Sequence, residues 1–222
     1  MPPAGGREAD IVTSLLRWWQ EHQRSFPWRK WQDPYRLLVT EILLRQTRAE
    51  AVASFLPGFL AMYPSARVLA GSDEEVLAGV LQPLGLYRQR ARQLRSLAAV
   101  LLARDPSPLT LAELQALPGI GPYSAGVVAA ATGVPAAAVD TNVARVVVRV
   151  FGFEPSHAEA RKSANVWTAA ERLLAAGSGG VRVTWALLDL ASQVCTVRRP
   201  RCAECPVRPA CVSAPTVGQR RP

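Results

Sequence analysis

The spacing of apolar residues predicts helices along nearly the whole chain. In the first such stretch, apolar positions recur every three or four residues, which places five side chains on one helix face: Ile11, Leu15, Trp18, Trp19 and His22. Similar patterns cover residues 49–62, 87–103, 157–176 and 181–193. The run Val146–Val148 has strand propensity, but no second strand is available to pair with it. We therefore predict an all-α fold.

Several helix starts can be predicted from their capping residues. Asp33-Pro34 places an N-cap residue before a proline at the first helical position. The helix predicted from there carries side chains at spacings of three and four: Leu38, Glu41, Ile42 and Arg45. Asp140 is predicted to cap a later helix with its side chain. Capping boxes, in which Ser or Thr precedes Glu by three positions, are predicted at two pairs: Ser72 with Glu75, and Thr110 with Glu113.

The charge balance indicates a polyanionic partner. The 222 residues include 26 Lys and Arg against 17 Asp and Glu, for a net charge of +9 and a pI of about 10.2. Nucleic acid is the first candidate for the partner of so basic a chain. The longest mostly apolar stretch, residues 127–139, is interrupted by Thr, Gly and Pro and falls short of the roughly 18 to 20 residues of a membrane span. With no secretory signal at the N-terminus, we expect a cytoplasmic, nucleoid-associated monomer.

Two segments concentrate the basic residues. Residues 76–104 hold five arginines and no acidic residue, and residues 195–222 hold six arginines against one acid, Glu204. Arginine clusters are often solvated faces, but two of them in one basic chain favour contacts with phosphates. The chain has 24 arginines and only two lysines, Lys30 and Lys162, so a reaction that needs an amine has few side chains to use.

All the cysteines lie in one short segment with the spacing C-x6-C-x2-C-x5-C, at Cys195, Cys202, Cys205 and Cys211. Four thiolates can hold a tetrahedral zinc ion or a 4Fe–4S cluster. A zinc ribbon usually offers two C-x2-C pairs, whereas one is present here. The spacing resembles the 4Fe–4S loop of endonuclease III and its DNA glycosylase relatives, which implies a 4Fe–4S cofactor. Arginines decorate this loop and are candidate DNA contacts: Arg198, Arg199, Arg201 and Arg208.

A Gly-rich segment, L-P-G-I-G, lies between two helical patterns and contains Gly119 and Gly121. Such a turn can present backbone N–H groups to a phosphate, although tight helix–helix turns also use glycine for packing. Residues 139–146 follow with the sequence V-D-T-N-V-A-R-V. Hairpin, Asp140 and cysteine loop occur in the order found in the helix-hairpin-helix DNA glycosylase superfamily, which the chain resembles from about Arg24 to Cys211.

This resemblance implies a two-lobed fold with the active site in the cleft between the lobes. Residues 26–136 are expected to form a six-helix lobe with the hairpin. Residues 1–25 and 137–222 are expected to form the second lobe, which holds the cluster loop at 195–211. Asp140 would be the catalytic carboxylate that stabilises the sugar cation and directs water, a role compatible with capping a helix. Double-stranded DNA with a mismatched or damaged base would be the partner.

Residues 26–47 indicate which branch of the superfamily the chain resembles. Phe26-Pro27-Trp28-Arg29 and D-P-Y-R-L-L-V-T-E-I-L-L-R-Q-T resemble adenine glycosylases and the archaeal-type glycosylases that act on T/G mismatches. Both have a Glu at the position of Glu41, although a salt-bridged core Glu is an alternative. The hairpin residue Tyr123 resembles the T/G group, whereas Gln46 resembles the adenine and endonuclease III branches. The sequence also ends soon after Cys211, whereas adenine glycosylases usually continue into a further domain.

The same resemblance assigns the remaining roles. Endonuclease III carries its Schiff-base lysine where Tyr123 stands, so we expect a glycosylase with weak or no lyase activity. Tyr123 would contact the flipped pyrimidine, and Glu41 would orient or protonate it. Further DNA contacts are expected from Arg45 and from side chains that fill the vacated stack, namely Gln46 with Leu86 or Tyr87.

Other functions fit parts of this pattern. A glycosylase for oxidised pyrimidines, uracil or adenine would share the same motifs. A non-catalytic module that binds damaged DNA would need the hairpin but not the two acidic residues Asp140 and Glu41. A zinc-stabilised structural protein would need only the cysteines.

Overall fold

The computed structural model describes residues 6–104, 108–154 and 159–215. These residues form α-helices and short 3-10 helices with no strand among them, which confirms the predicted all-α fold. Within the same ranges, no helix has both the length and the apolar character needed to cross a membrane.

The α-helices are listed here in chain order: α1 (Gly6–His22), α2 (Pro34–Leu43), α3 (Ala49–Met62), α4 (Ala66–Ala70), α5 (Glu74–Leu81), α6 (Tyr87–Ala103), α7 (Leu111–Ala116), α8 (Pro122–Ala131), α9 (Thr141–Phe151), α10 (Ala164–Ala176) and α11 (Val181–Gln193). Short 3-10 helices occupy Pro27–Lys30, Gln82–Leu84, Ala160–Lys162, Cys202–Glu204 and Arg208–Ala210.

Backbone contacts divide the chain into two compact units. A split unit comprises Met1–Arg24 and Pro135–Pro222, and a continuous unit comprises Ser25–Val134. In the continuous unit α6 packs against α2, α4 and α5, while α8 packs against α2 and α7. In the split unit α11 packs against α1 and α9, and α10 packs against α1 and α9.

Side-chain caps explain where several of these helices begin. Asp33 accepts hydrogen bonds from the N–H groups of Tyr35 and Arg36 and precedes Pro34, as predicted. The capping box of Thr110 with Glu113 is also confirmed, with both reciprocal hydrogen bonds present. The predicted box at Ser72 is wrong: Asp73 caps α5 instead. The Asp carboxylate accepts two N–H groups at once, which a single hydroxyl does less well.

The core of each unit is aliphatic with few buried charges. In the split unit Asp189 is fully buried and accepts hydrogen bonds from the indole of Trp19 at 2.8 Å and the guanidinium of Arg24 at 2.8 Å. The ion pair with Arg24 and the hydrogen bond from Trp19 give the Asp189 carboxylate a structural role. In the described part of the continuous unit the buried charged side chains are Glu41 and Arg90, which are 6% and 2% exposed.

Candidate active site

Asp140 stands at the start of α9 with its carboxylate fixed on both oxygens. Its Oδ1 accepts hydrogen bonds from the N–H groups of Asn142 at 2.8 Å and Val143 at 2.7 Å. Its Oδ2 accepts a hydrogen bond from the Asn142 side-chain amide at 2.8 Å. The predicted cap is therefore present, and the carboxylate lies at the positive end of the helix dipole. The side chain is half-buried.

A chain of polar contacts runs from Asp140 to the cysteine loop inside the split unit. The carbonyl oxygen of the Asn142 side chain accepts a hydrogen bond from Nη1 of Arg145 at 3.1 Å. The Nε of Arg145 donates to the backbone carbonyl of Cys195 at 2.9 Å, and its Nη2 donates to that of Ala191 at 3.0 Å. Burial lowers the pKa of the Arg145 guanidinium. The sequence analysis missed both Asn142 and Arg145.

The four cysteines line a single cavity of about 830 Å³ in the split unit. All four are free thiols, and burial raises the pKa of Cys205 to about 11 and raises that of Cys211. The Cys195 sulfur lies 3.3 Å from Nη1 of Arg149, and the Cys211 sulfur lies 3.3 Å from the Arg149 carbonyl oxygen. Across the described ranges, no three His, Cys, Asp or Glu side chains are placed to hold a single metal ion.

The hairpin between α7 and α8 contains two glycines in different situations. Gly119 has a φ of +74°, a left-handed conformation that disfavours any side chain. Gly121 caps α8 with a φ of −93°, and a Cβ there would meet nothing within 4 Å. Neither its φ angle nor contacts with the described residues would therefore prevent a side chain at position 121. Its lack of a side chain leaves the N-terminus of α8 open to an incoming group.

Arg45 is half-buried and contacts the hairpin. The helix α2 ends at Leu43, so Arg45 lies in the turn that follows and not on the helix predicted from the sequence. Its Nη2 donates to the carbonyl oxygen of Gly119, and its Nη1 lies 3.4 Å from the Gln93 side-chain oxygen. Within the continuous unit, Arg45 thus ties the end of α2 to the hairpin.

Glu41 and Tyr123 belong to the same continuous unit. Glu41 projects from α2 and is buried, on a helix whose neighbouring Leu38 and Ile42 are fully buried. Tyr123 lies in the first turn of α8, two residues after Gly121, and is half-buried. Among the described residues of this unit, Glu41 is the buried acidic side chain.

Gln46 and Leu86 share an unusual backbone conformation. Their φ angles are +51° and +49°, in the left-handed region that non-glycine residues seldom adopt. Both side chains are exposed, and Leu86 is 44% exposed despite being apolar. Tyr87, the alternative to Leu86, is half-buried and has the Arg88 guanidinium over its ring. The structure therefore distinguishes Leu86 as the more available of the two.

The arginines of the cysteine loop also differ from one another. The exposed guanidinium groups of Arg198 and Arg199 have no hydrogen-bonding or ion-pairing partner in the described ranges. Arg201 donates to the Gln193 carbonyl oxygen and pairs with Glu204 at 3.2 Å. Arg208 is half-buried and lies 3.4 Å from the Pro215 carbonyl oxygen. Arg198 and Arg199 are thus the loop arginines most available to an external anion.

Comparison with known proteins identifies the family to which the chain belongs. The model for the HhH-GPD superfamily of base excision DNA repair proteins matches residues 39–170. The chain belongs to this superfamily. The matched residues include Glu41, the hairpin of this HhH-GPD protein and Asp140, while the cysteine loop lies beyond them. The resemblance stated from the sequence is confirmed.

Relatives of this HhH-GPD chain act on more than one base. It is 33% identical to a thymine/uracil-DNA glycosylase from Pyrobaculum aerophilum, over 92% of this chain and 91% of that protein. It is 36% identical to an adenine DNA glycosylase from Mycobacterium tuberculosis, over 88% of this chain and 65% of that protein. A solved structure of a thermostable thymine-DNA glycosylase matches with a TM-score of 0.86 and 32% identity, over 94% of this chain and 96% of that one.

Proposed function

We propose that this HhH-GPD protein is a DNA glycosylase of base excision repair that removes T or U opposite G. The observation that carries the proposal is the likeness, along nearly the full length of both chains, to a thymine/uracil-DNA glycosylase and to the solved thymine-DNA glycosylase. The net charge of +9 supports double-stranded DNA as the partner. The protein would then act on the chromosome.

Asp140 is the proposed catalytic carboxylate. When the bond between C1′ and the base nitrogen breaks, both bonding electrons leave with the base, and positive charge develops on the sugar. A carboxylate held in place by two backbone N–H groups stabilises that charge without having to reorganise. Water then adds to C1′, and Asp140 accepts its proton. The product is a free base and an intact abasic strand.

Glu41 and Tyr123 are the proposed base-contacting residues. A pyrimidine that leaves as an anion needs a proton or a hydrogen-bond donor at its oxygen or nitrogen. A buried carboxyl group such as that of Glu41 can supply or orient that proton. Tyr123, on the first turn of α8, offers an aromatic face and a hydroxyl to the flipped base.

The remaining groups would hold DNA in the flipped state. The N–H groups beyond Gly121 can bind a phosphate oxygen without reading the base sequence. Arg198 and Arg199 add phosphate contacts from the cysteine loop. Gln46 and Leu86 are the proposed side chains that fill the space left by the flipped base. A T/G mismatch opens more cheaply than a normal pair, which contributes to selectivity.

We also propose that the four cysteines hold a 4Fe–4S cluster. Two observations support this proposal: the four thiols line one cavity, and the spacing C-x6-C-x2-C-x5-C resembles that of 4Fe–4S loops. The cluster, when bound, would cross-link the loop that presents Arg198 and Arg199. Because the Cys205 thiol has a raised pKa, its ligation must release a proton. Broad visible absorption with about four irons and four sulfides per chain would support this; one zinc and no colour would contradict it.

We expect no strand-cleaving activity from this protein. Tyr123 stands where a Schiff-base lysine would be needed, and the two lysines, Lys30 and Lys162, are exposed at the ends of short 3-10 helices. Borohydride reduction during the reaction should therefore trap no covalent protein–DNA complex.

The experiment that tests the function is a panel of labelled duplexes. It contains T/G, U/G, A opposite 8-oxoguanine, and thymine glycol, each assayed with and without hot alkali. We expect product from T/G and U/G that appears only after alkali. Cleavage of thymine glycol without alkali would instead indicate a lyase of the endonuclease III type, and the absence of any product would favour a DNA-binding module.

Adenine excision is the second candidate. The observation that favours it is the 36% identity to an adenine DNA glycosylase, higher than the identity to the thymine/uracil enzyme. Gln46 resembles the glutamine of that branch, whereas Tyr123 does not resemble its serine. Preferential cleavage of A opposite 8-oxoguanine in the same panel would decide for this candidate.

A further inference from the structure

Arg90 is a buried charge for which the proposed reaction has no use. It lies on α6 of the continuous unit and is only 2% exposed. In the described structure its guanidinium is hydrogen-bonded to four backbone carbonyls and one hydroxyl, with no carboxylate among them. All of these contacts involve the two Nη atoms, while the buried Nε has no hydrogen-bond partner in the described residues. Because burial of a guanidinium is costly, this arrangement indicates a specific task.

The acceptors of Arg90 belong to two separate turns. Its Nη1 donates to the carbonyls of Leu84 at 2.6 Å and of Gly85. Its Nη2 donates to the carbonyls of Leu43 at 3.1 Å and of Arg45, and to the Thr47 hydroxyl at 2.7 Å. One side chain therefore binds the turn after α2, residues 44–47, and the turn before α6, residues 82–86.

Each turn carries one of the two residues with left-handed backbone described above. Gln46 lies between Arg45 and Thr47, both of which Arg90 contacts, and Leu86 follows Gly85 directly. A left-handed conformation at a non-glycine residue is strained and persists only where surrounding contacts impose it. The hydrogen bonds of Arg90 are such contacts.

We propose that Arg90 is a positioning residue that fixes Gln46 and Leu86 relative to each other, so that both side chains enter a DNA base step together. The proposal rests on the proposed function, because it concerns the insertion that accompanies base flipping. Exposed side chains that must insert into a stack lose less entropy on binding when their backbone is already fixed. Thr47 supports the same link, since its hydroxyl also lies 3.3 Å from the Leu84 carbonyl.

The first test compares substrates that differ in the cost of opening the base pair. Arg90→Lys keeps the charge but cannot donate to both turns in the same way. We expect its single-turnover excision rate on T/G to fall about tenfold, as a coupling of about 1.4 kcal/mol would give, and its rate on U opposite an abasic analogue to stay within about twofold. An equal loss on both substrates would show a merely structural role and overturn the proposal, as would no loss on either.

Two further variants keep the test informative if Arg90→Lys folds poorly. Thr47→Val removes the hydroxyl that links the turns and should lower T/G excision in the same selective way. In the Leu86→Ala background, Arg90→Lys should cost clearly less than it does in the wild type, because its effect passes through Leu86. Full additivity would contradict the proposal. Arg95→Lys, on the same helix and paired with Glu74, is the matched control.

A measurement without catalysis separates this proposal from the proposed function. A duplex with 2-aminopurine opposite an abasic analogue reports insertion through its fluorescence, whether or not any base is excised. We expect a rise with the wild type and a clearly smaller rise with Arg90→Lys at saturating protein. A wild type that inserts but excises nothing would contradict the proposed function alone, whereas equal rises for both proteins would contradict the role of Arg90.

Discussion

At the residue scale, Asp140 offers the sharpest test of the chemistry. Asn caps helices as well as Asp does, so Asp140→Asn should keep α9 and change the unfolding free energy by less than about 1 kcal/mol. The variant loses the negative charge that stabilises the sugar cation. We expect the excision rate to fall by at least about a hundredfold, measured in single-turnover assays on the preferred duplex.

Asp73→Asn is the matched control for that variant. Asp73 caps α5 through the same pair of N–H contacts, at 2.9 and 3.0 Å, and is exposed. The same substitution there should leave excision unchanged. Full activity of Asp140→Asn, or an equal loss in both variants, would refute the catalytic assignment.

The two hairpin glycines should separate stability from DNA binding. Gly119→Ala forces a side chain into a left-handed backbone and should destabilise the protein by about 1 to 2 kcal/mol. Gly121→Ala meets open space, and its weaker capping is offset by the lower entropy of the unfolded chain, so its stability should change by less than about 1 kcal/mol. Its methyl group would nevertheless obstruct a phosphate.

Urea unfolding and fluorescence anisotropy with a labelled duplex measure these two effects. We expect Gly121→Ala to bind DNA several-fold more weakly than the wild type at unchanged stability. Wild-type affinity in this variant would mean that no phosphate approaches the N-terminus of α8.

At the element scale, the capping box of α7 predicts a pH dependence. Hydrogen bonds from the Thr110 backbone and side chain, and then from Arg104, lower the pKa of Glu113 to about 2. Because the folded pKa lies below the unfolded one, Glu113 stabilises the protein above about pH 4.5, and this contribution fades as the pH falls toward 2. Glu113→Gln should therefore be less stable than the wild type at pH 7, with a gap that narrows below pH 4.5.

Chemical denaturation of both proteins at pH 7, 5 and 4 measures that gap. Glu75→Gln is the control, because Glu75 is exposed on α5 and Asp73, without a capping box, caps that helix. A gap that stays constant over this range would mean that the carboxylate of Glu113 does not contribute through its charge.

Several helix starts, although not that of α5, were predictable because capping is a local interaction. The pair Thr110 and Glu113 lies within one turn, so its sequence pattern suffices to identify it. The end of α2 was not predictable in this way. The helical spacing continues to Arg45, but the helix stops at Leu43. In the turn that follows, the distant Arg90 donates a hydrogen bond to the Arg45 carbonyl, and the distant Gly119 carbonyl accepts one from the Arg45 side chain. Such long-range contacts have no local sequence signal.

Arg90 did leave a signal in the sequence, although a weak one. It occupies the same helix face as Leu94 and Leu97, which are fully buried, so an arginine there interrupts an apolar pattern. Arg145 interrupts the buried face of α9 in the same manner. Charged residues at buried helix positions deserve inspection, because their burial requires specific partners.

At the scale of the whole molecule, the order of motifs along the chain predicted the family, and charge predicted the class of partner. Neither predicted which arginines face the partner. The structure shows that the guanidinium groups of Arg45, Arg145, Arg149 and Arg201 donate to carbonyl oxygens of the protein itself. The net charge of +9 therefore overstates the number of groups free to contact phosphates. Which arginines are hydrogen-bonded within the protein is a property of the folded chain and could not be read from composition.

This distinction predicts how salt affects DNA binding. Each phosphate contact contributes about 0.9 to the slope of log affinity against log salt concentration. Arg198→Gln combined with Arg199→Gln removes two exposed guanidinium groups without protein partners, so the slope should fall by about 2 between roughly 50 and 200 mM salt. Arg201→Gln removes a charge already paired with Glu204 and should change the slope much less. Equal slopes for the double variant and the wild type would place the DNA away from the cysteine loop, because a phosphate contact that exists must release its counterions when the protein binds.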